Sequence, residues 1–240
     1  DGVSLQPDQF ELTPEEIDRA VAQVDPAMVA TLERARARLQ SFHSKHLRQS
    51  WEEISDDGTL LGQRLTPIER VGVYVPGGKA FYPSSVLMNI VPARVAGVPE
   101  VIMVSPPSCE GSILPAVLAA ARVAGATRVF RIGGAQAIAA LAFGTEHVPA
   151  VLKITGPGNT YVATAKRLVS PYCAIDTEAG PSEVVVIADE TANPLFVAAE
   201  LLAQAEHDEE ALCVLLTPSR TVAEAVQREL VRELATLPKR

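Results

Sequence analysis

The sequence predicts an α/β protein built on parallel sheets. From Val71 onward, short β-branched runs alternate with alanine-rich segments of helical spacing. The alternation recurs at about 25 to 30 residues, the size of a βαβ unit. Glycine-bearing turns follow several of the runs, as strand-to-helix connections require.

The opening region, Asp1 to about Arg70, reads differently. Thr13-Pro14-Glu15-Glu16 combines an N-cap, a proline at the first helical position and acids in the first turn, so a helix starts there. Pro26 interrupts that helix or begins a second one. Asp25 is a suitable cap, and Met28, Val29, Leu32, Ala35 and Leu39 recur at helical spacing in the charged segment that runs to Gln49. Residues 55–58 form a polar turn.

The expected strands are Val71–Val75, Val101–Ser105, Val129–Ile132, Val151–Thr155, Val184–Ala188 and Leu212–Leu216, with a short extra strand at Cys173–Asp176. Expected helices are Ser84–Ala96, Ile113–Ala124, Ala135–Phe143, Thr160–Leu168, Pro194–Ala205 and Thr221–Ala235. In such a sheet the carboxyl ends of the strands and the neighbouring helix N-termini make a crevice that favours anions. The turns Pro76-Gly77-Gly78, Gly133-Gly134 and Gly156-Pro157-Gly158-Asn159 fall on that edge. Each also fits a plain tight turn.

Composition narrows the function classes. The 240 residues are 48% hydrophobic and 21% charged, which is ordinary globular usage. A formal charge of −8 opposes broad attraction to nucleic acid or to an anionic membrane surface, so small metabolites are the expected partners. No apolar run approaches the length needed to span a bilayer. The start at Asp1 has neither the basic residues nor the apolar stretch of a signal peptide, and the chain is expected to be an internal piece of something longer. Cys109, Cys173 and Cys213 are too scattered for a disulfide scaffold or a zinc ribbon, which makes a reducing compartment the default.

Candidate chemistry sits in a few stretches. Gly156-Pro-Gly158-Asn-Thr-Tyr161 follows a strand, and Asp176 lies where dinucleotide folds place a ribose-binding acid. The fingerprint is degenerate, because Tyr161 replaces its third small residue and Pro157 removes an amide donor. Gln204 and His207 stand three residues apart on one helical face and could share a metal, although two ligands make no zinc site. His207 equally fits a dipole partner at a helix end. His43, His46 and His147 sit in surface contexts. Ser182 lies between carboxylates, lacks the hydrolase elbow, and fits a polar substrate contact better than a nucleophile.

Taken together, the stretches ERVGVYVPGGKAFYPSSVLMN (Glu69 to Asn89), GGAQAIAAL (Gly133 to Leu141), KITGPGNTYV (Lys153 to Val162), DTEAGPSE (Asp176 to Glu183) and QAEH (Gln204 to His207) closely resemble histidinol dehydrogenase, almost end to end. The resemblance implies a cytoplasmic, homodimeric zinc enzyme that oxidises L-histidinol to L-histidine with two NAD at the end of histidine biosynthesis. It implies that Tyr74, Gln136 and Asn159 contact NAD, that Ser182 contacts the substrate, and that Gln204 and His207 bind both zinc and substrate. It also implies two incomplete Rossmann-like domains: 74–180 forms one, and 1–73 with 181–240 forms the other, which lacks its last elements.

Two departures from the family pattern shape the expectations. Family members are longer at both ends; their general-base Glu-His pair and the remaining zinc ligands, an Asp and a His, lie beyond Arg240, with the last ligand contributed by the partner subunit. No catalytic residue is therefore expected in this chain, which should be inactive alone and should expose an uncovered sheet edge that drives association. The second departure is Leu152, where the family is expected to carry an aspartate. It is either a disturbance of the crevice or a neutral substitution, and it keeps open a paralogue acting on another small alcohol, such as a sulfonated diol. A folded module without catalysis is the alternative from a different class.

Overall fold

Thr13 opens the first helix with a capping box. Its hydroxyl accepts from Glu16 N at 3.2 Å while the Glu16 carboxylate accepts from Thr13 N at 2.8 Å. The computed structural model describes residues 5–6, 9–77, 82–108, 111–177, 183–206 and 211–237. Helix α1 spans Pro14–Val21 and α2 spans Pro26–Ser44, where Asp25 accepts from Ala27 N and starts the second helix. Strands β1 (Trp51–Ile54) and β2 (Leu60–Gln63) then form an antiparallel hairpin around the expected turn at 55–58, with Gly58 at φ +82°.

The elements that follow are β3 (Arg70–Tyr74), α3 (Pro83–Val95), β4 (Glu100–Val104), α4 (Pro115–Ala124), β5 (Arg128–Phe130), α5 (Gly134–Phe143), β6 (Lys153–Thr155), α6 (Thr160–Val169) and β7 (Ala174–Ile175). The remaining elements are β8 (Glu183–Ile187), α7 (Pro194–Ala205), β9 (Leu212–Leu216) and α8 (Arg220–Leu234). Every strand expected from the sequence is present.

Contacts divide the chain into two compact units, Asp1–Glu178 and Ala179–Arg240. The first holds a five-stranded parallel sheet in the order β5-β4-β3-β6-β7. The chain winds outward from β3 to β5, then crosses back to β6 on the other side of β3. The order reverses between β3 and β6, which makes the topological switch point of a doubly wound fold. Alternation along the strands serves two cores. Val71, Val73, Val101 and Met103 pack with α3 and α4, whereas Tyr74, Ile102, Val104, Phe130 and Ile154 pack with α5 and α6. Gly72 lets α5 approach β3: a Cβ there would lie 2.9 Å from a Leu141 methyl.

The opening helices belong to this unit. Helix α1 packs on α4, α2 packs on α3 and α4, and Leu12 and Leu32 join the core on that face. Residues 10–12 run beside β5: Leu12 N donates to Val129 O, and Arg131 N donates to Phe10 O. That contact covers one open edge of the sheet. Arg128 adds a two-pronged ion pair to Glu11, at 2.7 and 2.6 Å. The expected domain of 1–73 with 181–240 would draw on both units. Strand β3 itself, most of which precedes position 74, is the central strand of the first sheet.

The second unit pairs β8 with β9 in parallel, from Glu183 opposite Leu212 to Ile187 opposite Leu216. Helices α7 and α8 cover one face, packing Val197, Ala198, Leu201, Val222 and Val226 against Val184, Val186, Cys213 and Leu215. On the other face Val185, Ile187, Leu212 and Leu216 are exposed. Among the described residues no helix is long and apolar enough to cross a membrane.

Candidate functional site

The switch point in the first unit is also where the glycine-bearing loops meet. Tyr74 ends β3, with its ring in the α5/α6 core and its phenol oxygen accepting from Gly134 N at 3.1 Å. Burial pushes the Tyr74 phenol pKa upward, and the Gly134 hydrogen bond offsets only part of that rise, so the group stays neutral at physiological pH. Its own hydrogen remains to donate, with no acceptor among the described residues. Gln136, in the first turn of α5, folds its amide over the same helix end: a Cβ on Gly134 would lie 2.9 Å from Gln136 Oε1. Tyr74 and Gln136 therefore converge on one backbone position.

The β6–α6 loop comes in from the other side of β3. Gly156, at φ +113°, presses so closely on the end of β3 that a Cβ would lie 2.0 Å from Tyr74 O. Asn159 caps α6, its Oδ1 accepting from Val162 N at 3.1 Å. The amides of Thr160 and Tyr161 are left facing outward at the helix start, as first-turn amides are. The three residues expected to meet NAD thus stand on the carboxyl edge of one sheet, on both sides of its switch point.

Close packing of the loops explains several glycines. A Cβ on Gly77 or Gly133 would lie 2.8 or 2.4 Å from the Pro106 ring, and one on Gly158 would lie 2.3 Å from Val162 Cγ1. The inward place in the first turn of α6 belongs to Val162, while Tyr161 is exposed. Thr155, the last residue of β6, has a buried hydroxyl oxygen without a hydrogen-bond partner. Thr155 pairs with Val73, so this orphaned hydroxyl lies on the α3/α4 face of the sheet, opposite the face that carries α5 and α6.

Asp176 does not stand free to hold a ribose. One of its oxygens accepts from Gly156 N at 2.8 Å, and the other accepts from Thr177 N at 2.7 Å and pairs with Lys166 Nζ. Burial raises the Asp176 pKa, but the bonds from Lys166, Gly156 and Thr177 outweigh it and hold the carboxyl below its ordinary value. Sequence reasoning missed Lys166 and Thr155. The available signal for Lys166 was its place on the apolar stripe of α6 with Val162, Ala165 and Val169, where a lysine is out of pattern.

Ser182 and His207 lie outside the described residues, as does Cys109. Gln204 is half-buried in the last turn of α7. Among the described residues no cluster of three or more His, Cys, Asp or Glu side chains is placed to hold a metal ion. Gln204 is one amide donor and does not by itself fit a zinc site. Cys173 is buried, its thiol donates to Val151 O at 3.3 Å, and burial raises its pKa, so it is no thiolate nucleophile. Leu152 is exposed and precedes β6, at the end of the strand away from the crevice. Of the two readings of that position, neutral substitution is the one its surroundings favour.

The family model described as histidinol dehydrogenase matches residues 1–240. The histidinol dehydrogenase of Heliobacterium mobile is 54% identical over 240 residues, covering 100% of this chain and 56% of that protein. That of Geobacillus kaustophilus is 53% identical with the same coverage. A crystal structure of histidinol dehydrogenase from Elizabethkingia anophelis superposes with a TM-score of 0.87 at 38% identity, covering 95% of this chain and 53% of its own. The chain therefore spans little more than half the length of the relatives it matches. Because the match runs through every loop that lines the switch point, and through both units, the chain belongs to the histidinol dehydrogenase family.

Proposed function

We propose that this chain is the nucleotide-binding portion of a histidinol dehydrogenase that oxidises L-histidinol to L-histidine with two NAD. The observation that supports the reading best is the meeting of Tyr74, Gln136 and Asn159 around the switch point of a doubly wound sheet. In this reading the outward amides of α5 and α6 receive the pyrophosphate, and the buried phenol of Tyr74 donates to the nucleotide. Asn159 fixes the α6 start and Gln136 lies across the α5 start, so both orient the bound cofactor. NAD, when bound, supplies the hydride acceptor.

The zinc part of the proposal rests on family membership. Gln204 and His207 are assigned as two of its ligands and as contacts of histidinol, with Ser182 as a further substrate contact. Zinc, when bound, polarises the substrate oxygen and orients the alcohol. Residues 1–73 and 181–240 are proposed to associate as one Rossmann-like domain around the inserted 74–180. The whole protein is proposed to act as a cytoplasmic homodimer on a small molecule, without nucleic acid or membrane partners.

The test is NADH formation from histidinol, NAD and zinc. The full-length protein should turn over, and the 240-residue chain alone should not, since the family's general-base pair is not among its residues. Steady turnover by the short chain would overturn that assignment of roles. A full-length enzyme indifferent to histidinol but active on another small alcohol would overturn the choice of substrate.

A further inference from the structure

Lys166 is the one lysine or arginine among the fully buried side chains of the described residues, at 1% exposure, inside the apolar face of α6. Its ammonium donates to Gly156 O at 3.1 Å and pairs with the Asp176 carboxylate. That carboxylate in turn accepts from Gly156 N at 2.8 Å. The two peptide groups that flank the Gly156 Cα are thus both held: the N–H of Gly156 by the anion and its C=O by the cation. The two opposite charges also offset one another's burial in an apolar layer.

The position of the clamp gives it a purpose. Gly156 holds φ +113°, which glycine adopts without strain, and sits so close to the backbone of Tyr74 that a Cβ would lie 2.0 Å from Tyr74 O. Three residues later comes Asn159, which starts α6 and presents that helix end to the crevice. A burial cost of this size is out of place for stability alone, because an apolar pair of similar volume commonly does as well. What the ion pair adds is direction, since only charged and hydrogen-bonding groups fix the orientation of a peptide.

We propose that Lys166 and Asp176 are positioning residues: together they lock the Gly156 peptide so that the 156–159 loop and the α6 start are pre-organised for the dinucleotide. This rests on the reading of the crevice as an NAD site. Asp176 acts through the loop and not through the ribose, and Lys166 acts without touching the ligand.

The experiment uses the full-length protein and its Asp176→Asn and Lys166→Met variants, with two readouts. Amide hydrogen exchange is measured without nucleotide, comparing Gly156 with the central β4 amides Ile102 and Met103, and NAD affinity is measured by calorimetry. The expected result is a loss of Gly156 protection of at least about tenfold with β4 protection retained, and NAD binding weakened by about tenfold or more. Unchanged Gly156 exchange in both variants overturns the clamp. Increased exchange with unchanged NAD affinity overturns the positioning role. Uniform loss of protection through β4 in both variants assigns the pair to general stability and also overturns it. If the unmodified protein binds no NAD, the nucleotide reading itself fails, an outcome separate from normal binding by all three proteins.

Discussion

The amide of Gly134 donates to the phenol oxygen of Tyr74 at 3.1 Å, joining the end of the central strand to the start of α5 across 60 positions of sequence. The bond uses one helix-end donor inside the protein and leaves the phenol its own hydrogen to donate. Tyr74 is therefore a brace of the crevice and, in the proposed reading, a donor to the nucleotide.

Tyr74→Phe separates these roles from ring packing, because it keeps the ring and removes only the oxygen. An amide left without its acceptor in a half-buried site costs about 1–2 kcal/mol. Urea denaturation should register that loss. Calorimetry should show NAD affinity falling by roughly tenfold, equivalent to about 1.4 kcal/mol. A variant with unchanged stability and unchanged affinity would mean the phenol oxygen serves neither role.

Gly156→Ala tests the contact on the other side of β3. The added carbon would meet Tyr74 O at 2.0 Å, and the obstacle is backbone, which cannot swing aside. At φ +113° an L-residue is strained even in open space. Loop and strand must part, at a cost of at least about 2 kcal/mol. Gly58→Ala is the control: it shares a positive φ but has nothing within 4 Å, so it should lose only about 1 kcal/mol.

How far the sequence revealed this arrangement depends on where the signal lies. The β3 to β9 strands are legible because β-branched residues fill their buried faces, and the starts of α1 and α2 because Thr13 and Asp25 cap them directly. The β1–β2 hairpin is not legible: Trp51-Glu-Glu-Ile is exposed along its length, so no alternation marks a buried side. Helix α2 ends at Ser44, short of Gln49, because polar residues on a solvated helix carry no stop signal. Asp176 is visible as an acid at the right distance for a ribose, but its true partner is the α6 lysine that sequence spacing does not single out. An ion pair between a helix and the end of the strand that follows it is a property of the folded chain.

Leu152→Asp tests the reading of the apolar departure. The side chain is exposed and lies before β6, while the crevice lies beyond it. Stability should change by no more than about 0.5 kcal/mol, and NAD affinity should be unchanged. A clear gain in either would return position 152 to the site.

Acid sensitivity should trace in part to Asp176. Its carboxyl has a lower pKa folded than unfolded, so its contribution to stability is complete above the unfolded value of about 3.9 and is lost as pH falls through the folded value. Unfolding free energy measured from pH 6 downward should therefore drop more steeply below about pH 4 in the unmodified protein than in Asp176→Asn. Parallel acid limbs in the two proteins would show that the carboxyl is not stabilised by Lys166 and the two amides.

The second unit makes a prediction about association. A parallel sheet normally has both faces covered, because its connections place helices on the faces and its strands are apolar throughout. Here α7 and α8 cover one face, whereas Val185, Leu212 and Leu216 are each more than half exposed on the other and Ile187 is 82% exposed. Leaving such side chains in water forgoes about 25 cal/mol per Å² of apolar area, so a few hundred Å² of contact yields several kcal/mol toward association. Sedimentation of the 240-residue chain at micromolar concentration should show species larger than the monomer, and Val185→Thr with Ile187→Lys should shift the distribution toward monomer. The pair is suited to the purpose because neither residue belongs to the packed face, so the fold of the unit should survive their replacement. A chain that sediments as a monomer before any substitution would mean that the apolar face is covered within the molecule itself.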